Sequence, residues 1–133
     1  MKQENKSITA ALWVCQVIAA AVMVAAGFIK LQGGPVDIFI FEKLGMEPFG
    51  RYLITVLEFT AGILLVWPSF SVLGALLSVG TMIGASIAHA TVLGFSVQGD
   101  GGMHVGLLVL VFVTSGVVLW ARRRSLPVIG ATL

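Results

Sequence analysis

Apolar residues run along this chain in four long blocks, Ile8 to Ile29, Tyr52 to Trp67, Val72 to Leu93 and His104 to Ala121, and nearly all the charge lies between or outside them. Each block is long enough, or nearly so, to cross a hydrocarbon core of about 30 Å at about 1.5 Å per residue. The pattern predicts an all-α integral membrane protein: a four-helix bundle forming a single transmembrane domain over residues 1–133, with spans at approximately 8–29, 52–67, 72–93 and 104–121. The second block is the shortest and suits a span with little tilt.

The connections carry the helix breakers. Between the first two blocks lies Lys30 to Arg51, which opens with Gly33-Gly34-Pro35 and later holds Gly45 and Pro48. Its middle, Val36 to Leu44, mixes Phe39, Ile40 and Phe41 with Asp37, Glu42 and Lys43. Two readings fit that mixture: a short helix lying in the membrane interface, or a loop whose apolar residues pack on the bundle. Pro68-Ser69-Phe70-Ser71 reads as a tight turn, because proline lacks an N–H and disfavours helix before it. Ser96 to Gly102 is a glycine-rich loop that brings the flanking helix ends together.

Composition makes lipid the solvent. With 58% hydrophobic and only 11% charged residues, a soluble domain of this length would expose more apolar surface than water permits. Four spans nearly exhaust 133 residues, so no soluble catalytic domain fits beside them. The net charge of +2 comes largely from Arg122, Arg123 and Arg124 at the end of the last block, a topology signal and not a nucleic-acid footprint. Cys15 is the single cysteine, which excludes an intrachain disulfide and a Cys-x-x-Cys relay.

Lys2 and Lys6 precede the first block, and Ala19, Ala20 and Ala21 resemble a signal-peptide cleavage site. The apolar run is longer than a signal core of roughly 7–15 residues, so it reads as a retained span. Lys2, Lys6 and the three arginines on one side, against Lys30, Lys43 and Arg51 on the other, place both termini in the cytoplasm. Gly80 with Gly84, and Gly102 with Gly106, stand in the Gly-x-x-x-Gly spacing that lets helices approach closely. Packing within the chain is the first use expected of them, and a homo-oligomer through these glycine faces the second.

Glu58 is the most informative position. It lies inside the second block, seven residues after Arg51 and so on nearly the same helix face, about 10 Å from the outer end of that helix. A carboxylate there must be paired, protonated or hydrated. Lys30 ends the first span, His89 lies about one turn before the third exits, and His104 begins the fourth. Lys30, Arg51, Glu58, His89 and His104 thus form the candidate ligand-binding set in the outer half. Gln16, Ala20, Met23, Gly27 and Lys30 share one helix face, as do Ser78, Met82, Ala85 and His89, and these small and polar stripes are expected to face inward.

Two arrangements fit the set: a salt bridge from Glu58 to Lys30 or Arg51 with the histidines anchoring helix ends, or a pocket open to the outer face or to lipid. There is no metal-binding spacing such as His-x-x-x-His or Glu-x-x-His, and no metal is expected. A proton path across the membrane would need ionisable groups in the inner half, where only Cys15, Gln16, Thr114 and Ser115 are available. No nucleotide loop or catalytic triad is present.

Around these residues the sequence resembles the DoxX family of small bacterial and archaeal membrane proteins. The resemblance lies in Ala26-Gly27-Phe28-Ile29-Lys30, in Leu57-Glu58-Phe59 followed by Ala61-Gly62, and in Gly84-Ala85 through His89, and covers roughly Ala20 to Arg122. It implies a four-helix bundle in the plasma membrane, with Lys30 and Glu58 at the family's polar positions. Some members are membrane subunits of thiosulfate:quinone oxidoreductase and others are linked to oxidative stress or sulfur metabolism. The resemblance therefore implies a quinone contact or a role beside a redox partner subunit, not an autonomous reaction.

The resulting expectation is an accessory membrane subunit of a redox system, holding a quinone-like or other lipophilic molecule in an outer pocket around Lys30, Glu58 and His89. Lys30 or Arg51 would balance the carboxylate and a histidine would donate to a carbonyl. A binding or transport module without electron transfer, and a purely structural membrane partner, are the alternatives.

Overall fold

The computed structural model describes residues 5–133, and among the described residues every regular element is helical. Helix α1 is Lys6–Leu31, α2 Pro35–Lys43, α3 Phe49–Leu65, α4 Ser71–Ala88 and α5 Met103–Arg122. A π-helical turn, His89–Leu93, continues α4, and two single 3₁₀ turns follow α5. Lys2, one of the residues in the inner-side charge count, lies outside the described residues.

The element boundaries follow from local chemistry. Asn5 caps α1 by accepting the Ser7 N–H at 3.0 Å. Gly33, at φ +74°, turns the chain where a side chain would be strained. Pro35 then occupies the first turn of α2, where its missing N–H costs nothing. Helix α3 starts three residues before the apolar block, which puts Arg51 inside it, and it ends at Leu65. Beyond it Phe70 donates to the Trp67 carbonyl, and the two rings meet edge to face at 5.9 Å.

Lys6–Leu31, Ser71–Leu93 and Met103–Ser125 are long and apolar enough to cross a membrane. At 17 residues α3 is shorter, and it carries Arg51 and Glu58. Helix α1 packs on α3 and α5, and α4 packs on the same two, so each of the four long helices has two neighbours. Two apolar layers fill the space between them. One comprises Ala19, Ala20, Leu65, Ala75 and Val118; the other comprises Met23, Ala61, Met82 and Val111. Helix α2 lies across one end, where Ile40 and Phe41 pack on Leu93 and Val97.

Polarity is arranged inside out. Gln16 is fully buried and Glu58 only 4% exposed, while Val17, Phe28, Ile63, Ile83 and Phe112 face outward. Such an apolar girdle suits a lipid surround and would be costly in water. Of the stripes expected to face inward, Gln16, Ala20, Met23 and Gly27 are buried on α1, and on α4 Ser78 and Met82 are buried while Ala85 and His89 are half-buried; on α3, Thr55, Glu58 and Gly62 are buried as well.

The glycines divide into two groups. A Cβ on Gly74 would lie 2.5 Å from the Leu65 nitrogen, and one on Gly62 2.6 Å from a Val24 methyl, so these two allow the close approaches of α4 to α3 and of α3 to α1. At Gly80, Gly84 and Gly106 a Cβ would meet nothing within 4 Å. Packing within the chain, the first use expected of the Gly-x-x-x-Gly spacings, does not account for these three.

Candidate functional site

Helices α1 and α3 touch closely at Gly27, where an added Cβ would stand 3.1 Å from the Phe59 ring and 3.5 Å from the Glu58 Cβ. One turn further, Lys30 reaches Glu58, its Nζ 3.2 Å from Oε1. Asp37, in the first turn of α2, approaches the same ammonium at 3.7 Å. One cation therefore joins carboxylates from two other helices. The second oxygen of Glu58, Oε2, is buried and has no hydrogen-bond partner.

Arg51 stands next to this group and completes the joint. Its Nη1 donates to the carbonyl of Lys30, and its Nε donates to both Glu47 oxygens at 2.9 and 3.0 Å. A guanidinium suits that place, because it can bind a carboxylate in a fork while keeping a further N–H for the Lys30 carbonyl, which also accepts the Gly33 N–H at 3.1 Å at the end of α1. With Lys30 and Arg51 set against Asp37, Glu47 and Glu58, the joint holds one more acidic group than basic.

The two histidines make their polar contacts elsewhere. In the π-helical turn, the His89 carbonyl accepts the Gly94 N–H at 2.9 Å, and its ring Nδ1 lies 2.8 Å from the Gly94 carbonyl. Gly94 sits at φ +75° and ψ −175°, a conformation essentially reserved for glycine, and this aims its carbonyl back at the ring. A carbonyl can only accept, so Nδ1 carries the proton, and in the neutral form of the ring the lone pair is on Nε2.

His89 lines an open groove of about 370 Å³ between α4 and α5, with Ser86, Phe95, Val105, Leu108 and Val109. The Ser86 hydroxyl is spent as a donor on the Met82 carbonyl at 2.7 Å, so what it has left to offer is acceptor capacity. Polar recognition in this groove is therefore biased towards a ligand that donates.

His104 is held by Asp100. Its Nδ1 donates to Oδ2 at 2.6 Å and its backbone N–H to the same oxygen at 3.1 Å. The other oxygen accepts the N–H groups of Val97 at 3.0 Å and Gly102 at 2.8 Å. These bonds, the His104 side chain first, hold the Asp100 carboxyl well below the usual carboxylate range. Asp100 thus closes the loop and caps the start of α5.

Of the five residues singled out from the sequence, Lys30, Glu58 and Arg51 come together at the α1–α3 joint. His89 lines a groove in which none of the other four takes part, and His104 fastens a loop. Sequence reasoning did not select Asp37, Glu47, Ser86 or Asp100. Asp37 carried a signal, an acidic residue three positions after the Gly34-Pro35 helix start. Among the described residues no group of three His, Cys, Asp or Glu side chains could hold a metal ion. No protein-family model, curated protein or solved structure matches the chain.

Proposed function

We propose that this chain is a DoxX-like protein of a bacterial or archaeal plasma membrane, with α1, α3, α4 and α5 as four spans, both termini in the cytoplasm and α2 in the outer interface. It serves as the membrane subunit of a redox system and holds a quinone-type molecule for a partner that carries the electrons. The groove between α4 and α5 is where that molecule binds, and the Lys30–Glu58–Asp37 joint holds the outer end of the bundle in shape.

The observation that carries the reading is the tautomer of His89. With Nδ1 bound to the Gly94 carbonyl, the neutral form of the ring has Nε2 left as an acceptor on a residue that lines an otherwise apolar groove, together with Ser86, whose hydroxyl proton is already spent. A quinol, an apolar ring with hydroxyl donors, fits that chemistry better than the carbonyl-bearing quinone. The donation by histidine to a quinone carbonyl anticipated from the sequence would require the imidazolium.

Purification in mild detergent followed by solvent extraction and chromatography tests this, together with titration of a short-chain quinol and its quinone. Retention of a quinone-class molecule, tighter binding of the quinol, and loss of both in His89→Phe are expected. Binding that survives His89→Phe but vanishes in Glu58→Gln would move the site to Lys30, Arg51 and Glu58. No binding in any form would leave a structural or transport module. Gly80, Gly84 and Gly106, open in the single chain, are the face for a homo-oligomer or the redox partner.

A further inference from the structure

At the end of the bundle away from α2, a second groove runs between α1 and α5. It measures about 590 Å³, and every side chain along it is apolar, among them Ile8, Leu12, Phe112, Val113 and Trp120. From Phe112 to Ala121 it follows α5 for about 14 Å. Gly116 lines it, and a Cβ there would meet nothing within 4 Å.

One end of this groove is strongly basic. The Arg123 guanidinium stacks over the Trp120 ring at 4.0 Å from its centroid, and its Nη1 donates to the Trp120 carbonyl at 2.6 Å. Since Trp120 is part of the groove wall, Arg123 is fixed at its mouth. The Nε of Arg122 is buried without a hydrogen-bond partner. Arg124 follows, and Lys6 opens α1 at the same end. The described acidic residues lie elsewhere, in α2, in the segment after it, in α3 and in the loop before α5, so none offsets these cations.

We infer that this groove binds an anionic phospholipid, one acyl chain lying between α1 and α5 and the phosphate meeting Arg122 and Arg123. An inorganic anion would use the arginines and leave the apolar slot without purpose, whereas an uncharged chain would fill the slot and leave the cations unmatched. A phospholipid of negative charge satisfies both, and guanidinium is the side chain best shaped for its phosphate. The inference is independent of the His89 groove, which lies at the other end of the bundle.

The full-length protein, equilibrated in detergent micelles doped equally with phosphatidylglycerol and phosphatidylcholine, can be examined by native mass spectrometry. Wild type is expected to retain phosphatidylglycerol about tenfold over phosphatidylcholine. Arg122→Gln/Arg123→Gln is expected to abolish the preference, with Lys6 and Arg124 left to maintain orientation. Gly116→Leu, whose Cβ would enter open space in the groove, is expected to lose the phosphatidylglycerol with all arginines intact. Equal retention of the two lipids by wild type would overturn the inference. So would an unchanged preference in Gly116→Leu, which would reduce the effect to attraction at exposed arginines, or a dimer that Gly116→Leu dissolves, which would make a second copy the occupant.

Discussion

Lys30 on α1 and Glu58 on α3 lie 3.2 Å apart, the ammonium against Oε1, with side chains 16% and 6% exposed. Asp37 shares the same ammonium from α2, so the two ends of the pair are not equivalent. Removing Lys30 strands two buried carboxylates, whereas removing the charge of Glu58 leaves Lys30 with Asp37. Lys30→Met is expected to cost about 3–5 kcal/mol, the usual penalty for breaking a buried pair from one side. Glu58→Gln should cost clearly less, and Lys30→Met/Glu58→Leu should recover part of the loss. Thermal unfolding in detergent, run as a double-mutant cycle, reads all three; equal losses from the two single changes would refute the shared-ammonium arrangement.

Arg51 supplies a second, geometric prediction. Its Nε and Nη2 both serve Glu47 while Nη1 serves the Lys30 carbonyl. Arg51→Lys keeps the charge but cannot make a planar fork and a third bond at once. It should lower the unfolding temperature nearly as far as Arg51→Gln, and full rescue by lysine would show that charge alone matters there.

The glycines separate packing within the chain from surface. Gly74→Ala would drive a methyl to 2.5 Å from the Leu65 nitrogen and 2.8 Å from the Leu64 carbonyl carbon. Backbone cannot swing aside as a side-chain tip does, so a loss of about 1–3 kcal/mol is expected. Gly80→Ala and Gly84→Ala have free space and gain helix propensity, so they should be neutral or slightly stabilising. A loss there equal to that at Gly74 would mean that a second chain covers this face, and gel filtration coupled to light scattering would reveal it.

Acid should affect the loop before α5 late. The Asp100 carboxyl is held below its ordinary value of about 3.9, so its contribution is complete above that value and fades only as pH falls towards the depressed one. Hydrogen exchange of Val97, Gly102 and His104 should therefore stay slow in wild type below the pH at which an ordinary carboxylate has titrated. Asp100→Asn should speed it at neutral pH and remove the acid transition. Loss of protection at the ordinary carboxylate range in wild type would contradict the four hydrogen bonds drawn to Asp100.

How much of this could be read in the sequence depended on whether the signal was local. The helices on α1, α4 and α5 follow from uninterrupted apolar runs, and the buried face of α1 and part of that of α4 from the spacing of their small and polar residues. That Glu58 would pair with a nearby cation was legible too, since a carboxylate in an apolar helix needs a partner and two cations stood near its level. Whether Lys30 or Arg51 would provide it was not, because that depends on how α1 and α3 meet at Gly27. The separation of His89 from the charged joint was hidden for the same reason: depth along a helix can be counted, but direction around the bundle cannot. The Gly94 carbonyl that fixes the His89 tautomer depends on a π-helical turn with no distinctive residue pattern in His89–Leu93.

The short α3 bears on how the protein is made. A segment of 17 residues with a carboxylate near its middle partitions weakly from the insertion channel into lipid. Helix α1 leaves the ribosome first and brings Lys30, the partner that lowers this cost, so on the proposal that α3 is a fourth span it would enter the bilayer against a helix already there. Synthesis from amino to carboxyl end is thus matched to the order of partners, and a circular permutant in which α3 precedes α1 should be inserted poorly although its finished contacts would be the same.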